Sequence, residues 1–149
     1  MPLKIERSLT IAAPPERVWK AWVEEMNGWW TKPFYNDHAR ATGLVLEPGL
    51  GGRFFEQWGT NGEGFLIGQV NEWLPPISLG YTWSERDWEG VATQNRIKLE
   101  PDGAGGTRLT YTQSGFARLP EGADTHAGYE SGWGQLSARL KNFVEKGQP

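Results

Sequence analysis

Glu56, His126 and Tyr129 are the side chains of this sequence whose types and positions could support acid–base chemistry. In Arg53-Phe54-Phe55-Glu56-Gln57-Trp58, alternation sets Phe54, Glu56 and Trp58 on one face of a strand and Arg53, Phe55 and Gln57 on the other. With Phe54 and Trp58 turned inward, Glu56 is carried toward an interior cavity, where desolvation would raise its pKa and suit it to general-base work. The competing placement is an ion pair with an exposed arginine, or a seat at the cavity rim. His126 and Tyr129 share one stripe of a helical pattern with Trp133, so the imidazole and phenol could face the cavity mouth. Otherwise His126 is a solvent-exposed histidine of the first turn. Gln113 shares strand parity with Leu109 and Tyr111 and would bring an amide inward to hold a polar ligand group, or else cap the preceding loop.

Metal and nucleophile chemistry is poorly supplied. There is no cysteine, and His38 and His126 lie far apart with no His-x-x-x-His spacing, so neither a metal nor a cofactor is expected. Gly49 to Gly52 precede a strand without the lysine and hydroxyl residue of a phosphate loop, and read as a hairpin turn. No Gly-x-Ser-x-Gly elbow, Ser-x-x-Lys pair or kinase signature occurs.

The elements that must carry these residues follow from periodicity. With 149 residues the chain fits one domain, 1–149, long enough to bury a core. A strand is expected over Leu3 to Ala12, although Arg7 falls in its apolar register. Pro14-Pro15 ends it, and Val18, Trp19, Trp22, Val23 and Met26 then recur at helical spacing, giving a helix from about Pro15 to Met26. Residues 29–42 hold no period and read as an aromatic irregular loop or short helical turns. Strands follow over Gly43 to Glu47, Arg53 to Trp58, Gly64 to Leu74, Leu79 to Ser84, Gly90 to Leu99 and Thr107 to Gln113, with Thr60-Asn61-Gly62 as one of the turns between them. From Thr125 to Lys146 runs one long helical pattern in which Leu136, Leu140 and Phe143 are expected to bury against the sheet, each contributing about 1.5–3 kcal/mol.

Six or seven strands with one helix near the start and one at the end leave no room for βαβ repeats, so the class is α+β with an antiparallel sheet. One helix cannot fill the concave face of a curved sheet, and a cavity should remain. Nine tryptophans supply much of its surroundings. Parity and helix stripe bring Phe54, Trp58, Tyr81, Trp83, Tyr111, Gln113, Tyr129 and Trp133 toward it as candidate ligand contacts. Gly128, Gly132 and Gly134 inside the long helix each cost about 1 kcal/mol relative to alanine, so close packing or room for a ligand must offset them.

Several residue groups resemble one superfamily in this order: Ala13-Pro14-Pro15-Glu16-Arg17-Val18-Trp19, Pro48-Gly49-Leu50-Gly51-Gly52-Arg53-Phe54, Pro75-Pro76 before Leu79-Gly80-Tyr81-Thr82-Trp83, Gly106-Thr107-Arg108-Leu109-Thr110, and Gly132-Trp133. The chain is similar to START-like, Bet v 1-like (SRPBCC) proteins, and within them to the bacterial branch resembling the C-terminal domain of the activator of the 90-kDa heat-shock protein ATPase. The resemblance implies a helix-grip fold: a curved sheet wrapped around the long C-terminal helix, with a hydrophobic cavity between them. It implies binding of a small hydrophobic, aromatic or lipid-like ligand, with cyclase- or hydrolase-like catalysis and a chaperone-linked stress-response module as alternatives. The chain opens on its first strand, without the additional domain that engages the chaperone in the eukaryotic activators, so a chaperone partner is not expected.

Charge narrows the partners further. Fifteen Lys plus Arg against eighteen Asp plus Glu give a net charge of −3, with the basic residues scattered, which favours neither nucleic acid nor an anionic membrane. Lys4, Glu6 and Arg7 interrupt the apolar residues near the start, which points away from an export leader and toward the cytoplasm. An aromatic-rich sheet that exposes an apolar patch would allow a homodimer.

Overall fold

The computed structural model describes residues 3–59 and 61–149, and in it seven strands form one antiparallel sheet. In chain order these are β1 (Lys4–Ile11), β2 (Ala41–Leu46), β3 (Arg53–Trp58), β4 (Gly64–Leu74), β5 (Ser78–Trp83), β6 (Thr93–Pro101) and β7 (Thr107–Ser114). Helix α1 (Pro15–Val23) follows β1, and α2 (Gly122–Lys146) closes the chain. The spatial order is β1-β7-β6-β5-β4-β3-β2, so α1 and residues 24–40 cross from one edge of the sheet to the other. Register shifts at Ala41/Gly43, Phe54/Phe55 and Val70/Glu72 bend β2 to β4, helping the sheet curl around α2 in the expected helix grip. Of the expected Thr60-Asn61-Gly62 turn, Thr60 lies outside the described residues, as do Met1 and Pro2 of the domain, while Gly62 takes the left-handed φ of 85°.

Alternation decides which sheet face is dry. Thr93, Asn95, Ile97 and Leu99 of β6 and Thr107, Leu109, Tyr111 and Gln113 of β7 are buried, while Arg96, Lys98 and Arg108 are exposed. On β1, Ile5 and Ile11 are fully buried, and Arg7 in the same register reaches over α2. A Cβ placed on Gly134 would lie 3.6 Å from the Arg7 guanidinium. The charged residue in an apolar register and the glycine in the helix thus face each other.

Helix boundaries depart from periodicity at their ends. Helix α1 stops at Val23, before the expected Met26, because the backbone tightens into a 3₁₀ turn over Met26–Gly28 that still buries Met26. Helix α2 begins at Gly122 rather than Thr125, and Gly147 at φ 78° ends it by donating its N–H to the Phe143 carbonyl at 2.9 Å. Leu136 and Leu140 are buried as expected, but Phe143 is only half-buried. It packs against the edge of the core, with Gly28 against its ring and the Arg17 guanidinium 5.7 Å from the ring centre.

The segment without periodicity supplies the largest difference in packing. Trp29 and Trp30 are buried, the Trp29 indole donating to the Ala21 carbonyl at 3.0 Å, and a 3₁₀ turn follows at Lys32–Phe34. Trp22 stacks on Trp133 with ring centres 5.7 Å apart, and Trp30 meets Trp133 edge-on at 5.9 Å. These indoles fill space that α2 alone would have left over the sheet.

Side chains satisfy backbone groups at both sheet edges. On β1, His126 Nε2 lies 2.6 Å from the Lys4 carbonyl, Lys141 donates to the Thr10 carbonyl, and Glu145 accepts from the Ala12 N–H just beyond the strand at 2.7 Å. On β2, the Asn27 amide accepts from the Leu44 N–H at 2.7 Å and donates to the Leu44 carbonyl at 3.0 Å, standing in for one residue of a further strand. Gly43 leaves room for it, since an added Cβ would lie 3.0 Å from Asn27 Nδ2. Asn27→Ala should therefore lower stability by about 1–2 kcal/mol. An unchanged urea midpoint would show that this clasp contributes nothing.

Candidate functional site

A cleft of about 280 Å³ opens beside the N-terminal half of α2. One wall is Trp30, Phe34 and Tyr35, the end of β5 gives Trp83 and the adjoining Glu85, and α2 gives Thr125, Gly128, Tyr129, Gly132 and Trp133. The cleft lies between α2, the 30–35 segment and the end of the central strand β5, while the indoles of Trp22, Trp29 and Trp30 occupy ground the sequence left open. The helical glycines divide their roles here. A Cβ on Gly132 would sit 2.8 Å from Phe34 Cε1, so this glycine admits the opposite wall, whereas a Cβ on Gly128 would meet nothing within 4 Å. Close packing and open room both occur, one turn apart.

Beneath the cleft, Trp83, Tyr129, Tyr111, Trp133, Gln113 and Thr93 are engaged with one another, while the Trp30 indole N–H and the Asn95 amide have no hydrogen-bond partner among the described residues. The Trp83 indole donates to Tyr129 Oη at 2.8 Å, and Tyr111 Oη and the Trp133 indole donate to Gln113 Oε1 at 2.8 and 3.3 Å. Gln113 Nε2 donates to Thr93 Oγ1 at 2.9 Å, and that hydroxyl donates to the Trp83 carbonyl at 3.0 Å. Gln113 therefore faces inward as parity required, yet its amide braces Tyr111 and Trp133 and does not cap the preceding loop. Phe54 is fully buried against Tyr81 and Trp83, with ring centres 5.0 and 5.4 Å away. Burial pushes the phenols of Tyr81 and Tyr111 upward from their usual range. Of the expected ligand contacts, the structure brings Trp83, Tyr129 and Trp133 to the cleft and sets Phe54, Tyr81, Tyr111 and Gln113 behind them.

Trp58, Glu56 and His126 are placed elsewhere. Trp58 is half-buried at the far end of β3, its ring 4.1 Å from the Arg40 guanidinium and 5.5 Å from that of Arg86. Glu56 is fully buried, but it does not line the cleft, and it forms neither the arginine pair nor the rim carboxylate considered above. It accepts the backbone N–H groups of Asn36 and Asp37 at 2.5 and 2.9 Å and the Trp58 indole at 2.6 Å. A carboxylate so occupied anchors the loop after the 3₁₀ turn. His126 points to β1 and meets the Phe116 ring edge-on at 5.4 Å. His38 is exposed, and no group of three or more His, Cys, Asp or Glu among the described residues could hold a metal.

Glu85 was the missed residue. It is the single carboxylate of the cleft lining, which contains no lysine, arginine or histidine. Burial, then the charges of Asp87 and Glu56, push its carboxyl up to about 7. Tyr35 is likewise raised, by burial and then by Glu56. None of the ion pairs among the described residues includes Glu85. The neighbouring Arg86 turns away, donating to the Asn36 carbonyl at 2.6 Å and pairing with Asp37 at 3.5 Å. Strand parity could have found Glu85, since it continues the inward series Leu79, Tyr81, Trp83 by one step past the strand.

Residues 12–145 match the family model described as activator of Hsp90 ATPase homolog 1-like protein. Among solved structures, a Mesorhizobium loti protein is 22% identical over 98% of this chain and 99% of its own, with a TM-score of 0.74. The Aha1 dimer from Colwellia psychrerythraea is 20% identical over 98% of both chains, with a TM-score of 0.73. DynU16, a putative protein in the dynemicin biosynthetic locus, is 23% identical over 98% of this chain and 48% of its own, with a TM-score of 0.71. At these identities the likeness is one of fold. No curated protein matches the chain.

Proposed function

Because this chain belongs to the activator of Hsp90 ATPase homolog 1-like family and carries the START-like helix grip, we propose that it binds a small hydrophobic ligand beside α2. The observation that supports this reading is the aromatic cleft of about 280 Å³ with Gly128 open onto it. A cleft of that size, lined chiefly by aromatic rings with a few polar groups, suits a compact aromatic or lipid-like molecule. Gly128→Leu would put a branched side chain into that space while improving helix propensity by about 0.7 kcal/mol. Wild-type protein should show saturable tryptophan quenching with small hydrophobic probes and a bound species in native mass spectrometry. The Gly128→Leu protein should lose affinity about tenfold or more and still melt cooperatively. Equal affinity in the two proteins would place any binding outside the cleft and sink this reading.

Glu85 gives a second reading its footing. A carboxyl held near 7 beside Tyr35 and Tyr129 is suited to proton transfer in a cyclase- or hydrolase-like reaction. The chaperone-linked alternative has the family description behind it and no feature of the cleft. No helix among the described residues is long and apolar enough to cross a membrane. A cytoplasmic location and self-association, the latter suggested by the dimeric Colwellia protein, complete the reading. Sedimentation equilibrium tests the second of these, a monomer at all concentrations removing it.

A further inference from the structure

We propose that the ligand is an organic cation, a quaternary or protonated amine on a compact apolar body, held between the Glu85 carboxylate and the aromatic faces of the cleft. The proposal rests on the cleft being the ligand site and adds the chemistry of what enters it. Six aromatic rings, from Trp30, Phe34, Tyr35, Trp83, Tyr129 and Trp133, line the space with one carboxylate and no basic residue. Ring faces carry negative potential and attract cations, most strongly where water is excluded. The carboxylate adds a full charge of the same sign.

The groups around Glu85 reinforce that sign. Asp87 on its own segment and Glu56 from β3 both act on it as negative charges, and Tyr35, Thr125 and Tyr129 from the two other walls are neutral. Arg86 is committed to Asn36 and Asp37, Arg40 to Asp37 at 2.8 Å, and His126 to the Lys4 carbonyl. A neutral apolar ligand would leave the desolvated carboxylate with the Trp83 side chain as a hydrogen-bond partner but without a countercharge, and an anion would be repelled by it. A cation satisfies the carboxylate and the rings together, and it draws the proton off Glu85 as it binds.

Phenyltrimethylammonium and its neutral isostere tert-butylbenzene separate these cases. The cation should bind wild-type protein about tenfold or more tightly than the isostere, by tryptophan fluorescence, and Glu85→Gln should bring that ratio to about one. Calorimetry of wild-type protein near pH 7, in buffers of different ionisation enthalpy, should show proton release with the cation and none with the isostere, a readout that needs no variant. An isostere that binds as tightly as the cation, or a cation preference that survives Glu85→Gln, overturns the proposal while leaving the cleft a hydrophobic site. If neither probe binds, the proposal and the reading beneath it both fall.

Discussion

Glu56→Ala should destabilise the protein by about 3–5 kcal/mol, the largest loss expected from any single polar side chain here. The carboxylate is fully buried and accepts two backbone N–H groups and an indole N–H, at 2.5, 2.9 and 2.6 Å. Truncation leaves three donors without an acceptor where water has no ready access, and each orphan costs about 1–3 kcal/mol. The consequence reaches the cleft. Asn36, whose N–H the carboxylate holds, accepts from Arg86 through both its backbone carbonyl and its side-chain oxygen, at 2.6 and 3.1 Å, and so ties the wall bearing Tyr35 to the segment bearing Glu85. Urea denaturation reads the global loss, and hydrogen exchange at the Asn36 and Asp37 amides reads the local one. Glu56→Gln should fall between, because its single carbonyl oxygen replaces one acceptor while its NH₂ opposes the remaining donors. Wild-type stability in Glu56→Ala would show that the loop is held by its other contacts.

The strands and their inward faces were legible because alternation is a property of the backbone itself: β3 and β4 fall at the expected residues, and β7 buries the expected parity of Leu109, Tyr111 and Gln113. Asn27, Trp29, Trp30 and Phe34 were not legible in that way. They sit on short 3₁₀ turns and connecting loop, where no period links sequence to direction, and yet they close a sheet edge, fill the concave face and form one cleft wall. Glu56 shows the limit of parity. Alternation correctly turned it inward, but whether a buried carboxylate meets a ligand or a loop depends on backbone N–H groups twenty residues away, which no spacing within β3 encodes. His126 shows the same limit on a helix: one face of α2 is broad enough that a residue three positions from Tyr129 turns to β1 while Tyr129 turns to the cleft.

Glu85→Gln should stabilise the ligand-free protein, and only toward neutral and alkaline pH. The folded-state carboxyl titrates at about 7 against an ordinary 4.5, so between those values the folded state holds a proton that the unfolded chain has released. Wild-type stability from this group is therefore fully present below about 4.5 and is lost as pH rises through about 7. The shift corresponds to at most about 3 kcal/mol, reduced by the partial exposure of the side chain to something nearer 2. Glutamine stays neutral throughout and has no such loss. The difference in unfolding free energy between Glu85→Gln and wild type should thus grow by about 2 kcal/mol from about pH 4 to about pH 8. Taking the difference cancels Glu47, Asp37 and the other carboxylates whose lowered pKa values slope the opposite way. A difference that is flat with pH would mean that Glu85 ionises as it does in water. A difference that grows identifies a residue kept at the expense of stability, and phenyltrimethylammonium should shrink it at alkaline pH by binding the wild-type carboxylate and not the amide.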